Sequence, residues 1–286
     1  MKKLIINADD FGFSIPINEA VEKCYSAGVI TGASIMACGE YFNEACERLR
    51  ALKKREIGVH FTLTGSLKPA AENAALIRSL LSGKDTFVPT YKDFAMLLLK
   101  EKISREEIFI ELKEQIKKII ASGLKVTHLD SHEHIHMFPP VLEAVMKIAE
   151  TFNVSYIRMP IEKIQVISKD FRITDVVRYA GLRVFTRGAK KKLTDKNIGH
   201  NDAFLGHFHS GRMDRSILSF MLRTLSEGVT ELAVHPATAS EIFLKESPWY
   251  KNAPKELEVL LSSKWKEILE AEKIQLVTHS DIAEDI

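Results

Sequence analysis

Short apolar runs separated by amphipathic stretches set the rhythm of the chain. Residues 4–8 form an apolar run that reads as a buried strand, closed by Asp9 and Asp10. Ser14 is placed to cap a helix whose apolar residues Ile17, Ala20, Val21 and Cys24 recur at helical spacing, and Gly28 marks its stop. Further strands are predicted over 31–38, 57–63, 125–130, 154–158, 231–235 and 274–278. Helices fit 42–53, 92–101, 105–122, 139–152, 214–227 and 254–272, the one at 139 opened by Pro139 and Pro140. Residues 161–212 carry a weaker pattern, with short helices expected near 175–179 and 190–196 among polar loops. Strand alternating with helix means a parallel sheet with crossover helices. Strands wound this way predict an α/β protein, a distorted (β/α) barrel, in one domain over 1–286.

The 286 residues are 45% hydrophobic and 27% charged, the balance of an ordinary globular chain. Forty Lys and Arg against 38 Asp and Glu leave +2, which argues against nucleic acid or an anionic membrane as partner. Three cysteines, Cys24, Cys38 and Cys46, form no C-x-x-C pair and fit a reducing compartment. Leu4, Ile5 and Ile6 are too few for a signal-peptide core, and no apolar run approaches the ~20 residues of a membrane span. A cytoplasmic protein is expected, and a homodimer is the prior for its size.

Unusual polar groups fall at strand ends. Asp9 and Asp10 end the first strand, His60 lies in the third, Asp130 and His132 close the fourth, Arg158 the fifth and His235 the sixth. In parallel barrels the C-terminal rim is where active sites form. Asp9 and Asp10 would point to opposite sides of a regular strand, so both reach one site only if the chain turns there. Such a pair can divide into a metal ligand and a base, or simply make a turn. His60 reads either as a core histidine or as a ligand. The stretch from His128 to His136 holds four of the ten histidines, and imidazole with carboxylate is the common donor set for divalent metals. His132 is the favoured ligand there. His134 and His136 read as second-layer, substrate-facing or structural groups, and His128 as structural. Residues 132–136 also match H-E-x-x-H, but that motif needs a helix, and Pro139 and Pro140 stop one from running through. Arg158 reads as a strand end or as a partner holding a carboxylate ionised. His235 reads as a turn residue or an acid–base group. Residues 201–206 read as a polar, aromatic loop suited to a lid or an oligomer contact.

Taken in order, Asn7-Ala8-Asp9-Asp10-Phe11-Gly12, Gly58-Val59-His60-Phe61, Thr127-His128-Leu129-Asp130-Ser131-His132, Arg158-Met159-Pro160 and Val234-His235-Pro236 form a pattern. It resembles the YdjC-like carbohydrate deacetylase family, similar to chitooligosaccharide deacetylases, over nearly the whole chain. The resemblance implies the distorted barrel of the NodB-type deacetylases. It implies hydrolysis of the N-acetyl group of an N-acetylglucosamine-type sugar to acetate and the free amino sugar. It further implies one divalent ion held by Asp10, His60 and His132, magnesium or zinc first, with manganese, cobalt or nickel as alternatives. By the same likeness Asp9 is the general base, His235 the general acid, and Arg158 orients Asp9. Substrate contacts are expected at His134, His136, Phe11 and Asp202. The ending His235-Pro236-Ala237-Thr238 departs from the His-Pro-Gly of many members and is similar to the hopanoid biosynthesis-associated subgroup. That departure leaves oligosaccharide and glycolipid substrates open. Another metal-dependent amidohydrolase or phosphoesterase, and a sugar-binding barrel without turnover, are the competing classes.

Overall fold

The structure is a computed structural model that describes residues 1–83, 85–162 and 173–284, with backbone only at 173–179 and 187. Nine strands lie among the described residues: β1 (Lys2–Phe11), β2 (Gly32–Ile35), β3 (Glu56–Phe61), β4 (Leu81–Ser82), β5 (Thr86–Phe87), β6 (Lys125–Ser131), β7 (Ala203–Leu205), β8 (Gly228–Val234) and β9 (Ile274–Leu276). β4 and β5 make a small antiparallel hairpin. The other seven form one sheet in the order β6-β3-β2-β1-β8-β7, with all pairs parallel. β9 pairs with Lys2–Leu4 of β1, while β2 pairs with that strand further on, at Asn7 and Ala8.

Residues 154–158, expected as a strand, form no ladder. Ile157 instead bridges Leu129 of β6, Tyr156 bridges Gly199, and Glu162 bridges Phe204 of β7. Pro160, without an N–H, cannot serve a regular ladder. These single bridges join the two ends of the sheet, so the ring closes irregularly, as a distorted α/β barrel. Ala203–Leu205, expected in a loop, is a fully buried strand against β8, too short to show a period. The helix expected over 254–272 is two, Ala253–Leu261 and Ser263–Ala271, because Ser262 leaves the helical conformation and its hydroxyl caps the second. The short helices expected near 175–179 and 190–196 belong to one, Ile173–Asp195. The polar loops expected at 163–172 lie outside the described residues.

The strands alternate. Leu4, Ile6 and Ala8 of β1 join the large core beneath the helices, as do Ile57, Val59 and Phe61 of β3 and Leu232 and Val234 of β8. The opposite register meets across the ring. There Ile5 packs with Tyr156, Val277 and Ile282 at the N-terminal end, and polar groups follow toward the C-terminal end. The first helix, Ile15–Ser26, shows why the outer layer holds. Ser14 caps it, Pro16 lies in its first turn, and Ile17, Ala20, Val21 and Cys24 are buried. Burying each such large side chain stabilises by about 1.5–3 kcal/mol.

Candidate active site

Ile5, Asn7 and Asp9 occupy successive inward positions of β1, and regular alternation would send Asp10 outward. Asp10 instead takes a left-handed conformation, φ 60°, and the register against β2 slips between Ala8 and Phe11. That bulge turns the second carboxylate to the same mouth as the first. Asp is among the residues that tolerate this conformation best.

Asp10 Oδ1 lies 3.2 Å from His60 Nε2 and 3.0 Å from His132 Nδ1. The three residues offer donor atoms within 4.8 Å of one another. Tyr250 donates its hydroxyl to the other oxygen, Oδ2, at 2.7 Å. On the far side of the His60 ring, Nδ1 sits 2.7 Å from Asp130 Oδ1. A carboxylate behind a histidine fixes its tautomer and orientation, as metal-binding histidines require. Burial alone would raise the Asp10 pKa, but His132 and His60 outweigh it and hold the carboxyl well below its usual range. Burial would lower that of His60, yet Asp130, Asp10 and Asp9 raise it to about 10.

Arg158 is fully buried and meets three carboxylates. Its Nη1 and Nη2 grip Asp9 at 2.7 and 2.8 Å, Nη2 also reaches Asp130 Oδ2 at 2.7 Å, and Nε donates to Glu231 Oε1 at 2.6 Å. Asn7 Nδ2 adds a bond to Asp9 Oδ1 at 2.7 Å, and His128 Nε2 lies 3.0 Å from Asn7 Oδ1. Against the burial that would raise it, this clamp keeps Asp9 well below its ordinary pKa. Asp9, His60 and Asp130 form a second close trio. There Arg158 already pairs with both carboxylates, so the Asp10 trio is the better cation cradle. Asp9, Asp130 and Glu231 share the Arg158 guanidinium, whereas Asp10 faces His60, His132 and Tyr250, so its carboxylate is the one left for a cation.

His235 follows β8 and places Nε2 3.8 Å from Asp9 Oδ2. Burial first, then His60 and Arg158, pull its pKa down against the two aspartates. Its backbone N–H donates to Glu256 at 2.8 Å. Trp249 meets its ring edge-on at 4.9 Å. His235 and Trp249 line a cavity of about 1160 Å³, together with Asp9, Asp10, His60, His132 and Tyr250.

Asp9, Asp10, His60, His132, Arg158 and His235, named from the sequence, therefore come together. His134 also lines the cavity, its ring 5.2 Å from Phe204. Three of the expected substrate contacts lie elsewhere. Phe11 is buried in the main core, because the bulge at Asp10 turns it outward. His136 is fully buried between Ser131 Oγ and the Arg158 carbonyl, at 2.5 and 3.0 Å. Asp202 precedes β7, at the other end of the sheet, where it accepts from Val229 N. The H-E-x-x-H segment is a short 3₁₀ turn, with Glu133 and His134 left-handed, so His132 and His136 do not share a helical face. Glu231, Tyr250 and Trp249 escaped the sequence reading, and Asp130 was seen only as a strand end. A charged residue inside the apolar run of β8 was the available signal for Glu231. Tyr250 stands 240 residues from Asp10 and carries no local signal.

A family model described as YdjC-like protein matches residues 3–271. A protein of Brevibacillus brevis named carbohydrate deacetylase is 31% identical over 284 residues, covering 98% of this chain and 99% of that protein. A chitooligosaccharide deacetylase of Salmonella paratyphi B is 37% identical over 147 residues, 51% of this chain and 55% of that one. A crystal structure from Enterococcus faecalis, described as a candidate cellobiose-phosphate cleavage protein, superposes with a TM-score of 0.80 at 26% identity, covering 98% of both chains.

Proposed function

The chain belongs to the YdjC-like family, and we propose that it is a metal-dependent hydrolase that removes the N-acetyl group of an N-acetylglucosamine-type sugar. The observation that carries this reading is one mouth holding a two-histidine, one-carboxylate cradle beside a clamped second carboxylate, with His235 next to that carboxylate. Deacetylase names among the relatives support the bond cleaved.

Asp10, His60 and His132 would hold one divalent ion, with Asp130 steadying His60 and Tyr250 engaging the outer oxygen of Asp10. When bound, that ion polarises the acetyl carbonyl and makes an attacking water more acidic. Asp9 takes the water's proton. Arg158 keeps it ionised and aimed at the mouth. His235 hands a proton to the departing amide nitrogen, which otherwise leaves as a poor anion. The donor must be the imidazolium; burial works against that form, and the neighbouring Asp9 and Asp10 carboxylates favour it. Acetate and the free amine result.

Acetate release from N-acetylglucosaminides tests this reading. EDTA should abolish turnover and added divalent metal should restore it. Asp9→Asn should lower kcat by about 10²–10⁴-fold while metal content stays at one ion per chain. Undiminished activity after complete metal removal would refute the mechanism. Two ions per chain would favour a binuclear amidohydrolase or phosphoesterase.

A further inference from the structure

The turn Pro248–Asn252 brings an indole into the catalytic cavity. Trp249 is 44% exposed, whereas Trp265 is 1% exposed in the core. A single exposed aromatic is ordinary on a protein surface. This one differs in being both part of the cavity lining and held on several sides. Its ring meets His235 at 4.9 Å and Tyr250 at 4.7 Å, each nearly perpendicular. Gly211 lies against it so closely that a Cβ there would come 3.1 Å from indole Cε2. Asn252 Nδ2 donates to the Gly211 carbonyl at 2.9 Å and ties the two loops together. Tyr250 in turn is anchored on Asp10. The indole is thus fixed before any ligand arrives, which lowers the entropic cost of binding to it.

We propose that Trp249 is the platform on which the pyranose ring of the substrate stacks. The C–H groups on one face of a pyranose are apolar and weakly positive, and they complement the negative face of an indole. A ring seated there has its substituents beside His235, the group assigned to protonate the leaving nitrogen. This inference rests on the deacetylase reading for its ligand class, an N-acetylated amino sugar.

The molecule carries two tryptophans, and the buried Trp265 supplies a constant background, so intrinsic fluorescence reports on Trp249. Metal-loaded Asp9→Asn enzyme is titrated with diacetylchitobiose, following fluorescence and calorimetric heat in parallel. Saturable binding with a blue shift is expected, and the shift should vanish in Asp9→Asn/Trp249→Phe while the heat of binding persists. In the Asp9-containing enzyme, Trp249→Ala should raise KM about three- to tenfold, the size of an aromatic contact, and more than it lowers kcat. Trp249→Phe should recover most of the loss. Calorimetric saturation without any change in fluorescence overturns the platform, as does a Trp249→Ala variant of unaltered KM. Sugar binding with no acetate release from the metal-loaded enzyme overturns the deacetylase reading and leaves the platform standing.

Discussion

Asp10 makes a local backbone compromise for the sake of its contacts. Its left-handed backbone costs about 1–2 kcal/mol, and the return is contact with His60, His132 and Tyr250 from three other parts of the chain. Asp9 stays in regular strand geometry and receives the guanidinium of Arg158. Two adjacent aspartates thus acquire different surroundings, which supports dividing them into ligand and base. His60 gives a pH-dependent consequence. Without metal its pKa is raised to about 10 by its aspartate neighbours, against the effect of burial. It is therefore protonated at pH 7 to 8, and it must lose the Nε2 proton to ligate while keeping Nδ1–H for Asp130. Metal binding at pH 7.5 should release close to one proton from this residue, and apparent affinity should strengthen as pH rises toward 10. Calorimetry in buffers of different ionisation enthalpy measures the release, and a buffer-independent heat would contradict it. At this scale the side chains that gather at the site were legible, because a charged or imidazole side chain at a strand end is conspicuous. Their partners were less so: Glu231 shows only as a charge inside an apolar strand, and Tyr250 carries no local signal.

Among elements, β3 and β6 show how the inner face is built. His128 lies over Gly58, and a Cβ at that glycine would fall 2.1 Å from His128 Nε2. The register between the two strands shifts just there, between Ile57 and Gly58. Gly58→Ala should therefore destabilise by about 1–3 kcal/mol through overpacking. The same change in a His128→Ala background should cost little, because the obstructing ring is gone. Thermal melts of the four proteins test this, and equal losses in both backgrounds would contradict it. Sequence periodicity located most strands and helices but not the 154–162 bridges, β7 or the break at Ser262. Isolated bridges and a three-residue strand have no repeat to detect, and a cap inside a long amphipathic run interrupts its pattern by a single residue. The segment after β6 is a similar case. Its H-E-x-x-H spelling suits a helix, yet Glu133 and His134 turn left-handed and send His132 to the cavity and His136 into the core.

Over the whole molecule, the proposed ligands come from β1, β3 and the turn after β6, strands that the sheet order β6-β3-β2-β1 spreads across half of the ring. A bound ion would tie them together. Free metal at a hundred times its dissociation constant stabilises the folded state by about 2.7 kcal/mol, so chelation should lower the melting temperature by about 5–10 °C. Asp10→Asn should remove that difference, whereas Asp9→Asn should preserve it. Equal shifts in the two variants would place the ion elsewhere. The ring also explains its own polar interior. An ordinary barrel fills its centre with branched apolar side chains, but here Asn7, Asp9, His60, His128, Asp130, Arg158 and Glu231 are buried among one another. Their hydrogen bonds and ion pairs compensate a desolvation cost that isolated groups could not bear.

Most of the element order, the parallel α/β class and the side chains that converge on the site were present in the linear pattern, because period, caps and polar strand ends are local properties of a chain. Which aspartate faces the histidines, where the ring closes, that Tyr250 and Trp249 line the mouth, and that Glu231 holds Arg158 beneath it were settled only by folding. Those outcomes depend on a one-residue bulge and on contacts spanning up to 240 residues. A bulge is a small energetic choice made by tertiary packing, and no local propensity encodes which distant group will meet it.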